Sequence, residues 1–450
     1  MIRDLTEGKP GKLIIGFMLP VLLGNLFQQF YSIADSIIVG QYLGDLALAA
    51  VGGTGSISFL VIGFIMGLAG GFAIPVSQRF GAKDYSSMRK YAWNMIYLSL
   101  IFSVVVTAIT VTLCRPLLNL MSTPADIIDS AQSYIIIIFW GIPLCILYNC
   151  LSWIIRSLGD SRTPVYILLV SSVLNIVLDI VMITVFSMGT AGAAAATVIS
   201  QGLSVVLCII LIRKKFPILD STKDERRIDT KLWGNLCANG IPMGLQYSIT
   251  AIGSVILQAN VNTLGSSAVA AITIGQKING FAASPFDALA TTCATWGGQN
   301  TGAGKIERIQ KGLVCCIIIG AVWSAIAFII LYFFSGQLCT IFVDSTSTEI
   351  ISNASRFLIA NSASYFFLVL VNTIRLMIQG IGFGNVAIFS GVFEMIARIL
   401  VGTFGVPALG FTAACFASPL AWLAADIYLI PAYTKCLSIL KKRREARPAV

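Results

Sequence analysis

Apolar runs of about twenty residues, each closed by a short polar segment, repeat along the chain. Twelve are long enough to cross the ~30 Å hydrocarbon core of a bilayer: 16–40, 51–78, 91–114, 130–156, 163–186, 191–212, 236–263, 268–298, 312–335, 353–380, 384–404 and 410–433. Within lipid only a helix or a closed barrel satisfies its own backbone polar groups, and runs of this length predict helices. The expected fold class is therefore an all-α membrane protein of twelve transmembrane helices, with both termini on one side. The lead "MIRDLTEGKPGK" carries Asp4 and Glu7 beside its bases and runs into an apolar stretch without a small-x-small cleavage pattern, so it reads as a cytoplasmic lead-in and not as a cleaved signal.

The polar segments are themselves repeated. "SQRFGAKDYSSMRK" at 77–90 aligns with "GQNTGAGKIERIQK" at 298–311 at an offset of 221, so that Gln78 falls on Gln299, Gly81 on Gly302 and Lys90 on Lys311. Pro20 pairs in the same way with Pro242, "GDLALAAV" at 44–51 with "GSSAVAAI" at 265–272, and Gly192 with Gly410. Each matching loop follows the second span of a set of six. Six is even, which makes the repeat parallel, as in transporters built from two bundles related by an axis along the membrane normal. The expected organisation is an N-terminal lobe (1–212), a cytoplasmic linker (213–235), a C-terminal lobe (236–433) and a basic cytoplasmic tail (434–450). Glycine in the two loops suits tight turns at hinge or gate connections.

Composition agrees with this pattern, with 57% hydrophobic and 11% charged residues and a mean hydropathy of +0.87. A net charge of +10 would suggest nucleic acid in a soluble chain, but 25 of the 30 Lys and Arg, counting Arg156 at the very end of span 4, fall in the lead, in the loops after spans 2, 4, 6 and 8, and in the tail. By the positive-inside rule that side is cytoplasmic. The charge thus reports topology and excludes a nucleic-acid partner; the expected location is the cell membrane. The eleven Cys sit mostly singly in apolar runs, as small buried hydrophobes do. The sequence has no His, HExxH or GxSxG pattern, and its longest loop is short, so no enzyme and no cofactor are expected.

Function must then lie in the charges inside the spans, each costing ~2.5–3.5 kcal/mol at mid-helix. The acids are Asp35, Asp179, Asp287, Glu394 and Asp426; the bases are Lys277, Arg356, Arg375 and Arg398. At ~1.5 Å per residue, Asp35, Asp179 and Thr197 share one depth in the N-terminal half. Asn175 lies four residues before Asp179 on the same helix face. This all-oxygen set suits a hard monovalent cation, the same carboxylates could carry protons instead, or Asn175 and Asp179 could simply satisfy each other.

In the C-terminal half Glu394 and Arg398 form an i, i+4 pair. Lys277 and Asp287 lie on roughly neighbouring faces, with Pro285 between them bending the helix. Either the pair is structural, or Asp287 and Glu394 attract cationic substrates in a central cavity while Lys277 and Arg398 limit the charge. Asp426 is expected to snorkel from the inner end of span 12. Gln28, Gln29 and Gln246 are cavity candidates because lipid cannot satisfy their amides. Tyr31, with Phe27, Tyr148 and Trp153, either lines an apolar cavity through cation–π contacts or packs against lipid and neighbouring helices.

These residues carry a resemblance. The doubled "SQRFGAK" and "GQNTGAGK" loops, "YSIADSIIVGQYLG" in span 1, and "NIVLDIV" followed by "GAAAATVISQ" resemble the multidrug and toxic compound extrusion (MATE) family of bacterial cation-coupled antiporters over essentially the whole chain. The resemblance implies a V-shaped pair of six-helix lobes, acting as a monomer, that exports small cationic amphipathic compounds in exchange for Na+ or H+. It assigns Asp35, Asn175, Asp179 and Thr197 to an N-lobe cation site and Pro20 to a hinge that responds to it. The acids that some members carry in spans 7 and 10 are missing here, which puts a C-lobe sodium site of that type in doubt. A flippase of lipid-linked saccharides from the same superfamily remains an alternative.

Overall fold

The computed structural model describes residues 3–121 and 123–445; the end of the basic tail, 446–450, lies outside them. Among the described residues all regular structure is helical. In order these are α1 (Pro10–Leu43), α2 (Asp45–Gly53), α3 (Gly55–Gly81), α4 (Tyr85–Leu120), α5 (Ile128–Trp140), α6 (Ile142–Ser157), α7 (Arg162–Ile180), α8 (Gly189–Lys215), α9 (Thr230–Asn262), α10 (Ser266–Gly302), α11 (Ile306–Cys339), α12 (Thr348–Ala363), α13 (Tyr365–Gly380), α14 (Gly384–Leu400), α15 (Val406–Leu409) and α16 (Phe411–Glu445). Among the described residues nine spans are long and apolar enough to cross a membrane, and two bent pairs raise the count to eleven. The twelfth is α10, 37 residues long, whose polar residues, Lys277 and Asp287 among them, lower its hydropathy. The protein is a multi-pass membrane protein.

Spans 4 and 10 are each broken at the middle. α5 and α6 meet at 47° around Gly141, and α12 and α13 at 52° around Ser364. Counting by apolar length makes each a single span, although Gly141 and Pro143 interrupt the first and Asn361, Ser362 and Ser364 the second. The repeat is also written in the backbone. Gly44 (φ 83°) matches Gly265 (φ 94°), and Lys83 (φ 58°) matches Gly304 (φ 68°), all at the offset of 221. The left-handed turn of each doubled loop therefore sits at Lys83 and Gly304; Gly81 and Gly302 are the last helical residues of α3 and α10. Gly410 (φ 58°) matches Gly189 (φ 59°), which replaces the pairing with Gly192 suggested by sequence, since Gly192 lies within α8.

The described chain forms two compact units. Unit 1 contains Leu23–Gly244, and unit 2 contains Leu5–Leu22 with the chain from Leu245 onward. Both junctions fall inside a helix, two residues after Pro20 in α1 and two after Pro242 in α9. The compact units therefore cross the sequence division at 212 and 236 by exchanging two half-helices. In unit 1 the first half of α9 is seated on α3 by glycine on both sides. A Cβ at Gly67 would stand 2.5 Å from Met243 O, one at Gly71 2.5 Å from Asn239 O, and one at Gly240 2.4 Å from the Phe72 ring. Gly67 and Gly71 on α3, and Gly240 and Gly244 on α9, are two small-xxx-small pairs that let the backbones meet.

The segment before α9 is docked on the start of α4 in unit 1. Arg89 forks onto Glu225 with Nε to Oε2 at 2.8 Å and Nη2 to Oε1 at 2.7 Å, Trp93 Nε1 donates to Ser221 Oγ at 2.7 Å, and Asn94 accepts from Asp229 N at 2.9 Å. The Arg89 guanidinium holds the Glu225 carboxyl down at about 2, from an ordinary 4.5. A depressed carboxyl contributes stability that is full above its unfolded pKa and lost as pH falls through its folded one. The protection of residues 217–229 against hydrogen exchange, taken relative to the intrinsic rate at each pH, is therefore expected to hold at pH 5 and above and to fall between pH 4.5 and 2. Glu225→Gln should exchange faster at neutral pH and lose this pH dependence.

Candidate functional site

The best-formed buried polar site lies in unit 1, where α1, α7 and α8 meet. α1 supplies Tyr31 and Asp35, four residues apart on one face. α7 supplies Asn175 and Asp179 with the same spacing, and α8 supplies Thr197. Just after Asp179 the α-helix gives way to a single π turn, Val181–Val185. Such turns re-aim neighbouring side chains and recur at functional sites.

Asp179 is fully buried and Asp35 half-buried. Their carboxyl groups lie within hydrogen-bonding reach of each other. Oδ1 of each is shielded from solvent and has no hydrogen-bond partner. With its amide oriented to satisfy both ends, Asn175 donates to Asp179 Oδ2 at 3.1 Å and accepts from Thr197 N at 3.3 Å. The Tyr31 hydroxyl bonds Thr197, and Tyr134 of α5 lies within electrostatic range of both carboxylates. Two ionised carboxylates in contact repel strongly in a low-dielectric interior, and a monovalent cation or a proton between them relieves that repulsion. Asp35, Asn175, Asp179 and Thr197 are thus brought together. Tyr31 joins them, away from its expected place among substrate-cavity residues; its spacing from Asp35 was the available signal.

Pro20 is half-buried inside α1 and removes the helical donor to Gly16 O. Gln28 is exposed and Gln29 half-buried, both in unit 1. Gln246 is 2% exposed in unit 2, where its Oε1 accepts from Gln379 Nε2 at 3.3 Å. Phe27 is exposed, whereas Tyr148 and Trp153 pack on the unit 1 core, and Trp153 carries Arg156 over its ring at 5.4 Å.

Unit 2 holds a second polar chain at the matching place, before its own π turn at Val401–Gly405. Arg375 Nη1 donates to Glu394 Oε1 at 2.6 Å, and Arg398 Nη1 stands 3.4 Å from Glu394 Oε2. The i, i+4 pair expected from sequence is therefore the longer of two contacts, and the closer partner, Arg375, comes from α13. Arg375 Nη2 also donates to Asn372 Oδ1 at 3.0 Å, and Asn372 Nδ2 to Asp287 Oδ1 at 3.1 Å. Asp287 is exposed, while Glu394 is 3% exposed, hydrogen-bonded at Oε1 and only within ion-pair distance of Arg398 at Oε2, where Arg398 Nη1 makes no hydrogen bond. Lys277 does not join this chain; its ammonium lies 6.0 Å from the centre of the Phe342 ring. Asp426 does not snorkel: it is 3% exposed, and α16 continues nineteen residues past it to Glu445.

Helix after helix long enough to span a bilayer, written twice in parallel and enclosing buried carboxylates, defines an internally duplicated membrane transporter. A family model described as MatE matches residues 20–181 and 242–404, one segment in each half. The chain belongs to the MatE family. It is 33% identical to the probable multidrug resistance protein YpnP of Bacillus subtilis over 68% of each chain. It is also 24% identical to an FAD transporter of Shewanella oneidensis, over 81% of this chain and 80% of that one. An outward-facing multidrug resistance MATE family transporter of the MOP superfamily superposes with a TM-score of 0.90 at 23% identity, covering 97% of this chain and 98% of that structure, and so shares the fold.

Proposed function

We propose that the protein is a cation-coupled antiporter of the cell membrane that exports small cationic amphipathic compounds, with Asp35, Asn175, Asp179 and Thr197 binding the coupling Na+ or H+. The observation that carries this reading is the pair of touching carboxylates in unit 1, each with one buried oxygen unmatched. The multidrug names of relatives such as YpnP support the substrate class. Coupling requires only that the ion bind two conformations with different affinity. Pro20 is the proposed hinge, because it stands two residues before the point where α1 passes from unit 2 into unit 1. Both termini are cytoplasmic in this reading, from the distribution of basic residues.

The test is accumulation of a fluorescent cationic dye in everted membrane vesicles under an imposed Na+ or H+ gradient. Accumulation under one gradient is expected, and its absence under both, with folded protein present, overturns the reading. Asn175→Leu leaves Asp179 Oδ2 without its donor, at ~1–3 kcal/mol. The coupling-ion concentration for half-maximal transport should rise about 5- to 160-fold, measured in the same vesicles. The FAD transporter among the relatives favours adding a flavin dinucleotide to the substrates tried.

A further inference from the structure

Outward of the carboxylate pair, the helices of unit 1 step through the same layers at intervals of about one turn. On α1, Val39 follows Asp35 by one turn and Leu43 follows Val39 by another. On α8, Ala193 precedes Thr197 by one turn, and Thr190 precedes Ala193. Ile183, in the π turn after α7, comes four residues beyond Asp179. On α5, Tyr134 stands within electrostatic range of both carboxylates, and Ser130 lies one turn outward of it. The middle layer is dry. Val39, Ile183 and Ala193 are 0%, 5% and 0% exposed and form one apolar cluster, against which Leu43, Ala47 and Tyr134 pack. The outer layer opens into a cavity of about 410 Å3, lined by Leu43, Ala47, Asp129, Ser130, Ser133 and Thr190 among others. At ~30 Å3 per water it has room for a hydrated ion. The polar side chains that line it all offer oxygen, and Arg115 Nη1 donates to Asp129 Oδ1 at 2.6 Å.

We propose that this cavity is the entrance through which the coupling Na+ or H+ reaches Asp35 and Asp179, and that Val39, Ile183 and Ala193 form the apolar collar that parts to admit it. The inference rests on the antiport reading and adds to it a path that lies wholly within unit 1. Basic residues gather on the opposite side of the spans, so the cavity faces outside in that orientation. An apolar constriction gates by staying dry. A cation at the collar gives up water and finds no oxygen in exchange. Oxygens stand on both sides of it, in the cavity and at the carboxylates, one turn away in each direction. Ile183 is the collar residue carried by the π turn, the kind of irregular turn that recurs at functional sites.

The experiment uses right-side-out vesicles that hold the full-length protein and are loaded with a fluorescent cationic dye, with efflux started by external Na+ or external acid. Ser133 is exposed on the cavity wall, so Ser133→Cys can be blocked from outside with a membrane-impermeant methanethiosulfonate carrying a bulky group. Labelling is expected to slow ion-started efflux about tenfold or more relative to the unlabelled variant. A reductant that removes the label should restore the rate, and equilibrium dye binding should stay within about threefold throughout. Ala47→Cys, on the α2 wall, carries the same expectation and decides the matter if Ser133→Cys folds poorly. Wild type, whose described cysteines are buried or half-buried, controls for native thiols. Ser345→Cys, exposed in the segment between α11 and α12, controls for a label on the same side of the membrane away from the cavity. Efflux at the unlabelled rate after full labelling at both cavity positions overturns the proposal and leaves antiport standing. Equal slowing by a label on Ser345→Cys also overturns it. No ion-started efflux in untreated wild type removes the antiport reading, and the proposal with it.

Discussion

Asp35→Asn is expected to reduce gradient-driven dye accumulation to the level of vesicles without transporter. The substitution keeps the shape of the side chain and removes the charge that receives the coupling ion. Each charge moved through a membrane potential of 100 mV supplies ~2.3 kcal/mol, enough for a concentration ratio of about 50-fold. A variant unable to take the ion loses that factor while still binding dye. Dye binding by the purified variant should therefore stay within about threefold of wild type, which separates lost coupling from lost structure. Asp179→Asn should behave alike, because the two carboxylates act as one set.

The second large effect is on assembly. Gly71→Ala places a Cβ 2.5 Å from both Asn239 O and Gly240 Cα, and neither backbone atom can rotate away. The first half of α9 must move off α3, at a cost of ~1–3 kcal/mol for overpacking. A fall in melting temperature of several degrees and a lower yield of monodisperse protein in detergent are expected. Gly52→Ala is the control. Nothing lies within 4 Å of its Cβ, and alanine in an open helical position is neutral or stabilising by up to ~1 kcal/mol. Equal melting temperatures for the two variants would show that the α3–α9 glycine contact does not hold unit 1 together.

Much of the architecture was legible in the sequence because a bilayer demands a long apolar run for each crossing, and the duplicated loops repeat at a fixed offset. The breaks at Gly141 and Ser364 carried a signal that counting apolar length reads through: Pro143 opens α6, and the polar Asn361, Ser362 and Ser364 close α12. The exchange of half-helices at Pro20 and Pro242 was also hidden. Two prolines marked the positions, but which helices each half packs against is a tertiary fact.

In the candidate site, equal depth in the membrane was enough to group Asp35, Asp179 and Thr197, because helix rise converts sequence position into height. Tyr31 was not grouped with them although its spacing of four from Asp35 put both on one face, and Tyr134 was not because the partner helix has to be known. The same limit concealed Arg375 as the nearer partner of Glu394, nineteen residues away on another helix. Asp426 was expected near the end of a span closing at 433, yet it is buried. The helix instead carries through both Pro419 and Pro431 to Glu445, which moves Asp426 from its end to its middle.

Antiport is reciprocal: if inward ion flow drives dye outward, a dye gradient must drive the ion the other way. The most direct measurement loads proteoliposomes with dye, imposes no ion gradient, and follows Na+ and pH inside the vesicle as dye leaves. The account expects Na+ or H+ to accumulate inside against its gradient in wild type and not in Asp35→Asn. Dye leaving at the wild-type rate with no ion movement in either protein would contradict it.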